Sequence, residues 1–115
     1  MAQKALVLAV GATGDILREI DDQAMLSSAV VAESRSCVER ESGDVRFSGA
    51  KVVAEIGEIL SGAVPAPQGR RVIFKSVGMA IEDLTAARLV WLARNAGSGS
   101  ESAPDEASGS AGHRV

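Results

Sequence analysis

The chain has 115 residues, 46% apolar and 23% charged, which is enough for one compact domain and too little for two. A net charge of −3 and an aromatic content of 3% leave neither a basic surface nor a stacking platform, so nucleic acid is excluded as the leading partner. With Cys37 the single cysteine and His113 the single histidine, an internal disulfide and a Cys/His zinc site are excluded as well. His113 lies in a Gly/Ser segment, where it has no rigid partner for Ser–His or Cys–His chemistry. No apolar run reaches the roughly 20 residues that cross a bilayer, and none has the form of a signal peptide. The expected compartment is therefore the cytoplasm, with no membrane partner.

In chain order, residues 5–10 form a continuous apolar run, predicted to be a strand buried on both faces. Gly11-Ala-Thr-Gly14 follows and invites comparison with a phosphate-binding turn. The third glycine such a turn requires is replaced by Leu17, and no Lys-Ser/Thr pair follows, so the glycines are read as a sharp strand-end turn. Asp15 beside it is read as a surface turn residue. Asp21 or Asp22 is predicted to cap a short helix through Ser28. A second strand at 29–32 runs into Glu33, a loose candidate for an acid ending a nucleotide-binding strand.

Residues 35–42 have helical character and are expected to stop at Gly43 in a left-handed cap, with Cys37 a small half-buried side chain on that helix. Val52, Val53, Ile56, Ile59 and Leu60 recur at three- and four-residue spacing, which predicts one helix ended by Gly62. Pro65 and Pro67 stiffen the connection to a third strand at 71–77. Strand alternation points Lys75 away from Ser76 and Phe74, as a structural or surface lysine. Gly78 is read as allowing close backbone approach at the strand end. Residues 79–96 form the longest helix, with Glu82 and Asp83 favoured near its N-terminus and apolar residues around much of its circumference. A helix of that kind is expected to pack on two sides. Residues 97–115 carry almost nothing apolar and are expected to be a disordered tail. Apolar strands alternating with helices give an α/β class.

Several blocks in this order carry a resemblance. Ala9-Val-Gly-Ala12 is followed by Arg18-Glu-Ile-Asp-Asp22, and later comes Phe74-Lys-Ser-Val-Gly-Met-Ala-Ile-Glu-Asp83. Glu41-Ser-Gly-Asp44 and Glu55-Ile-Gly-Glu-Ile59 lie between them. Together they resemble the C-terminal part of the ornithine cyclodeaminase/mu-crystallin family over residues 6–96, nearest to its ketimine-reducing, mu-crystallin-like branch.

The resemblance implies that residues 1–96 are the C-terminal portion of a Rossmann-like NAD(P)-binding domain with a long terminal helix and an incomplete sheet. In the family, an N-terminal dimerisation and substrate platform and a glycine-rich dinucleotide turn precede this portion. The intact enzyme would use NAD(P)H to reduce a cyclic imine. Its substrate would be a small imine or amino acid, and it would act as a homodimer. The alternatives are an ornithine cyclodeaminase, which converts ornithine to proline and ammonia with NAD, and a non-catalytic remnant serving only as an interaction module.

By the same resemblance Ser76 binds the cofactor, Thr13 faces cofactor and substrate, and Val77 and Glu41 face the substrate. No catalytic residue and no metal ligand is assigned. Thr13 stands where the cyclodeaminases carry an aspartate, and Leu17 where they carry a lysine. A hydroxyl cannot act as a carboxylate base near neutral pH, so both departures favour the reductase branch.

Overall fold

The computed structural model describes residues 4–96, which fall into one unit closing at Met79 and a second beginning at Ala80. In the first unit, short apolar runs form β1 (Leu6–Ala9), β2 (Ala29–Ala32), β3 (Val52–Glu55) and β4 (Val72–Lys75). All pair in parallel in the order β1-β4-β2-β3, so the last strand is inserted between the first two. In register, Leu8 and Val31 flank Phe74, while Ala9 and Ala32 flank Lys75. The expected α/β class is what the chain adopts.

Asp21 caps α1 (Asp22–Leu26), its carboxylate accepting the Ala24 N–H at 2.8 Å, as the sequence predicts. Helices α2 (Arg35–Glu41) and α3 (Gly43–Ser48) follow β2. Met25, Val38 and Val45 from these three helices form one core with Ala9, Val30, Ala32, Val52 and Ile73. The chain order explains the two faces. From β1 through β3 the chain moves one way across the sheet, and from β3 to β4 it returns. Right-handed crossovers then put the returning segment on the opposite face. There α4 (Ile56–Leu60) contributes Ile56 and Ile59 to an open groove with Leu6, Leu8, Val31, Val72 and Phe74.

Three expectations are corrected. Strand β1 is not buried on both faces: Leu6 and Leu8 remain 67% and 65% exposed, because their face carries only α4 and the connector to β4. The predicted helix over Val52–Leu60 divides into β3 and α4. Val52 and Ala54 are buried and Val53 exposed, a two-residue alternation that wins over the three- and four-residue spacing. Glu58 then accepts the Glu55 N–H at 2.8 Å and opens the helix. Gly43 is not a left-handed cap. It begins α3, and a Cβ there would lie 2.4 Å from the Leu17 carbonyl oxygen, so close approach explains the glycine. The left-handed cap is Gly49, at φ 70°.

The second unit contributes α5 (Ala80–Ala96), which has Glu82 and Asp83 in its first turn and Arg94 in its last. None of its residues is buried within this unit. Among the described residues its unit holds no second element against which to bury. The predicted tail at 97–115, with His113, lies outside the described residues.

Candidate functional site

Inserting β4 between β1 and β2 sets three strand ends side by side, and polar groups gather beyond their carboxyl ends. In open α/β sheets that edge, at a reversal of strand order, is where ligands bind. The groups there are the turn at 11–14 after β1, the loop at 76–78 after β4, and Glu33 after β2.

A buried ion cluster fixes the first of these. Lys75 is wholly buried, on the same face of β4 as Ile73. Its amine donates to the Ala12 carbonyl at 2.8 Å and to Glu19 Oε1 at 2.8 Å, and lies 3.1 Å from Asp44 Oδ2. That last pair is an ion contact lying off the hydrogen-bonding direction. Asp44, also wholly buried, accepts the N–H groups of Glu19 at 2.9 Å and Ile20 at 3.0 Å. The Glu19 carboxylate accepts the Gly11 N–H at 3.0 Å. Loss of solvent raises the tendency of Glu19 to hold a proton. The hydrogen bond from Lys75, the N–H groups of Ala12 and Gly11 and the lysine charge outweigh this, and hold its carboxyl below the ordinary 4.5.

Glu33 fixes the second loop. Its Oε1 accepts the Val77 N–H at 2.7 Å and the Gly78 N–H at 3.0 Å, and its Oε2 accepts the Ser76 hydroxyl. Gly78 N–H also reaches Ser76 Oγ at 3.2 Å. Gly78 itself has φ 84° with open space around a would-be Cβ. Its left-handed backbone, rather than the expected close approach, is what calls for glycine.

Ser76 and Val77 are thus half-buried at the end of β4, beside the β1 turn that carries the exposed Thr13. Gly43 N–H donates to the Gly14 carbonyl at 3.1 Å, which ties that turn to the α2–α3 junction. Glu41 lies at this junction as the last residue of α2, half-exposed, its Oε1 accepting Arg40 Nε–H at 2.9 Å. Asp15 is a surface turn residue, paired with Arg46 at 3.1 Å.

Lys75, Glu19, Asp44 and Glu33 have the strongest local geometry, yet of these the sequence offered only Glu33, as a loose candidate for a strand-end acid. A signal for the first three was present. A lysine sharing the Ile73 face of an apolar strand must be buried, and a buried ammonium requires carboxylate partners. None of Thr13, Glu41, Ser76 and Val77 lines the groove of about 570 Å³ on the open sheet face.

The loop at 76–78 has no free N–H at Val77 or Gly78 for a phosphate, because Glu33 holds both. Ser76 Oγ keeps one lone pair, which suits a neutral amide such as the carboxamide of a nicotinamide ring. The residues therefore fit the nicotinamide end of a dinucleotide and not its pyrophosphate. Among the described residues, no group of three or more His, Cys, Asp or Glu could hold a metal ion, and no helix is long and apolar enough to cross a membrane.

An open parallel sheet with polar groups beyond its carboxyl ends is the arrangement of a Rossmann-like, dinucleotide-binding α/β domain. The chain belongs to the ornithine cyclodeaminase/mu-crystallin family, which it matches over residues 2–97. It is 48% identical over 87 residues to the ketimine reductase mu-crystallin of Mus musculus, a match covering 76% of this chain and 28% of that protein. The chain thus spans well under half the length of that relative. Among solved structures it is similar to a probable ornithine cyclodeaminase from Bordetella pertussis Tohama I (TM-score 0.73, 34% identity, 88% of this chain and 35% of that one). It is also similar to Delta(1)-pyrroline-2-carboxylate reductase from Thermococcus litoralis, solved with NADH and L-proline (TM-score 0.70, 31% identity, 87% of this chain and 34% of that one).

Proposed function

We propose that this chain forms the C-terminal portion of the dinucleotide-binding domain of an NAD(P)H-dependent reductase of small cyclic imines. The enzyme would act as a cytoplasmic homodimer. The observation that carries this reading is the position of Ser76 directly after β4, beside β1 and the turn after it, where Thr13 carries a hydroxyl and no carboxylate. The identity with a ketimine reductase and the likeness to a reductase holding NADH support it.

When bound, the dinucleotide supplies a hydride to the carbon of a C=N bond. Ser76 holds and orients the nicotinamide side through its hydroxyl. Val77 packs against the core with its half-buried side chain and keeps the loop at the end of β4 in place beside the substrate. Thr13 offers a hydroxyl that can donate or accept, and it can bind a substrate carboxylate or imine nitrogen without taking its proton. Glu41 is an acceptor for the N–H of a protonated imine, a charge that favours hydride addition.

The test is a comparison of substrates with the protein expressed from its complete gene. Oxidation of NADPH on addition of Delta(1)-pyrroline-2-carboxylate, with no ammonia released from ornithine, is the expected outcome. Ammonia release with NAD and no imine reduction would establish the cyclodeaminase reading instead. Neither activity would leave the chain as a non-catalytic module.

A further inference from the structure

The contacts of Glu33 fix more than the position of the loop after β4. A carboxylate has no proton to give, so the hydrogen in its bond with Ser76 is the serine hydroxyl hydrogen. One of the two Ser76 lone pairs takes the Gly78 N–H at 3.2 Å. What remains toward a ligand is a single acceptor lone pair and no donor. The neighbouring donors, Val77 N–H and Gly78 N–H, are held by Glu33 at 2.7 and 3.0 Å. Glu33 also adds negative charge at this end of the sheet. The loop therefore rejects phosphate and carboxylate groups and selects a neutral or cationic group carrying N–H.

We propose that Glu33 is a positioning and specificity-determining residue. It locks the Ser76–Gly78 loop and sets the Ser76 hydroxyl as an acceptor for the amide N–H of the nicotinamide carboxamide. The inference rests on the reading of Ser76 as a cofactor contact and deepens it by naming the atom recognised and the residue that decides the polarity. It requires no proton transfer and no change in Glu33 on binding.

Glu33→Gln is the informative substitution. Its amide oxygen can still accept from Val77 and Gly78. Its amide nitrogen instead donates to Ser76 Oγ, which frees the hydroxyl hydrogen to point at the ligand. The loop keeps its anchor while the polarity of Ser76 reverses. Binding would be measured calorimetrically, on the protein expressed from its complete gene, for NADH and for the reduced 3-acetylpyridine analogue, which keeps the carbonyl but lacks the amide N–H. The wild-type protein is expected to favour NADH by about 2- to 12-fold, the range of one hydrogen bond. Glu33→Gln is expected to bring that ratio to unity or below it. If both affinities fall by one common factor, Glu33 acts only as a structural brace and the polarity assignment is overturned.

Amide signals read the anchor without any cofactor. In the wild type the Val77 and Gly78 N–H resonances are expected downfield and protected from exchange, and Glu33→Ala is expected to remove both properties. Unchanged signals would overturn the anchoring role. If the amides respond as expected but neither dinucleotide binds, the cofactor reading of Ser76 fails and the hold of Glu33 on the loop stands.

Discussion

Lys75 and Asp44 face each other with both side chains removed from solvent, the amine 3.1 Å from the carboxylate. Glu19 completes the group from the partly exposed side, 2.8 Å from the same amine. The cluster joins β4, the segment before α1 and the start of α3 to the β1 turn through the Ala12 carbonyl. The turn that carries Thr13 is thus held by ionic contacts as well as by packing.

Removing the cation should be costly. Lys75→Met leaves Asp44 buried without its counter-charge, and breaking such a pair costs about 3–5 kcal/mol. Urea unfolding of the variant should show this loss. A change under about 1 kcal/mol would mean that the two N–H bonds to Asp44 suffice without the lysine.

Acid should weaken the fold in part through Glu19. Its native carboxyl titrates below 4.5, so between the two values the unfolded chain binds more protons than the native one. The contribution is complete above the unfolded value and is lost as pH falls through the native value. Unfolding free energies from pH 7 to pH 3 should decline less steeply on the acid side in Glu19→Gln than in the wild type. Parallel acid limbs would contradict the assignment.

Two glycines should respond differently to alanine. At Gly43 a methyl group meets the Leu17 carbonyl oxygen at 2.4 Å, with the Ile16 and Leu17 carbonyl carbons at 2.9 and 3.0 Å, so backbone must move. At Gly49 space is open and only the left-handed φ of 70° opposes the substitution, at about 1–2 kcal/mol. Thermal unfolding should rank Gly43→Ala as the more damaging change. The reverse order would mean that the α2–α3 junction yields easily.

Glu41 should affect substrate and not cofactor. Glu41→Ala removes an acceptor for a cationic nitrogen, an interaction worth about 1.5–3 kcal/mol, so KM for the imine should rise by roughly 10- to 150-fold. The NADPH affinity should stay unchanged. Equal loss of both would place Glu41 in the scaffold.

The sequence made some of this readable and concealed the rest for physical reasons. The β2 and β4 runs and the Asp21 cap were legible because β-branched clustering and a capping aspartate act locally. The β3–α4 boundary was hidden. Val52, Val53 and Ile56 fit a helical period as well as they fit a strand running into a helix, and only pairing with β2 decides between them. Thr13 and Ser76 could be picked out from the family blocks, and the parallel pairing of β1 with β4 brings the turn after β1 and the loop after β4 to the same end of the sheet. Glu33 was noted only as a strand-end acid. Its partners lie beyond β4, and their approach depends on the insertion of that strand beside β2.

The most direct measurement is a calorimetric titration of NADPH into the protein expressed from its complete gene, repeated with Ser76→Ala. Saturable binding in the micromolar range is expected, weakened about 2- to 12-fold by the loss of one hydrogen bond at Ser76. No saturable binding, or binding unchanged by Ser76→Ala, would contradict the assignment of the β4 strand end to the cofactor.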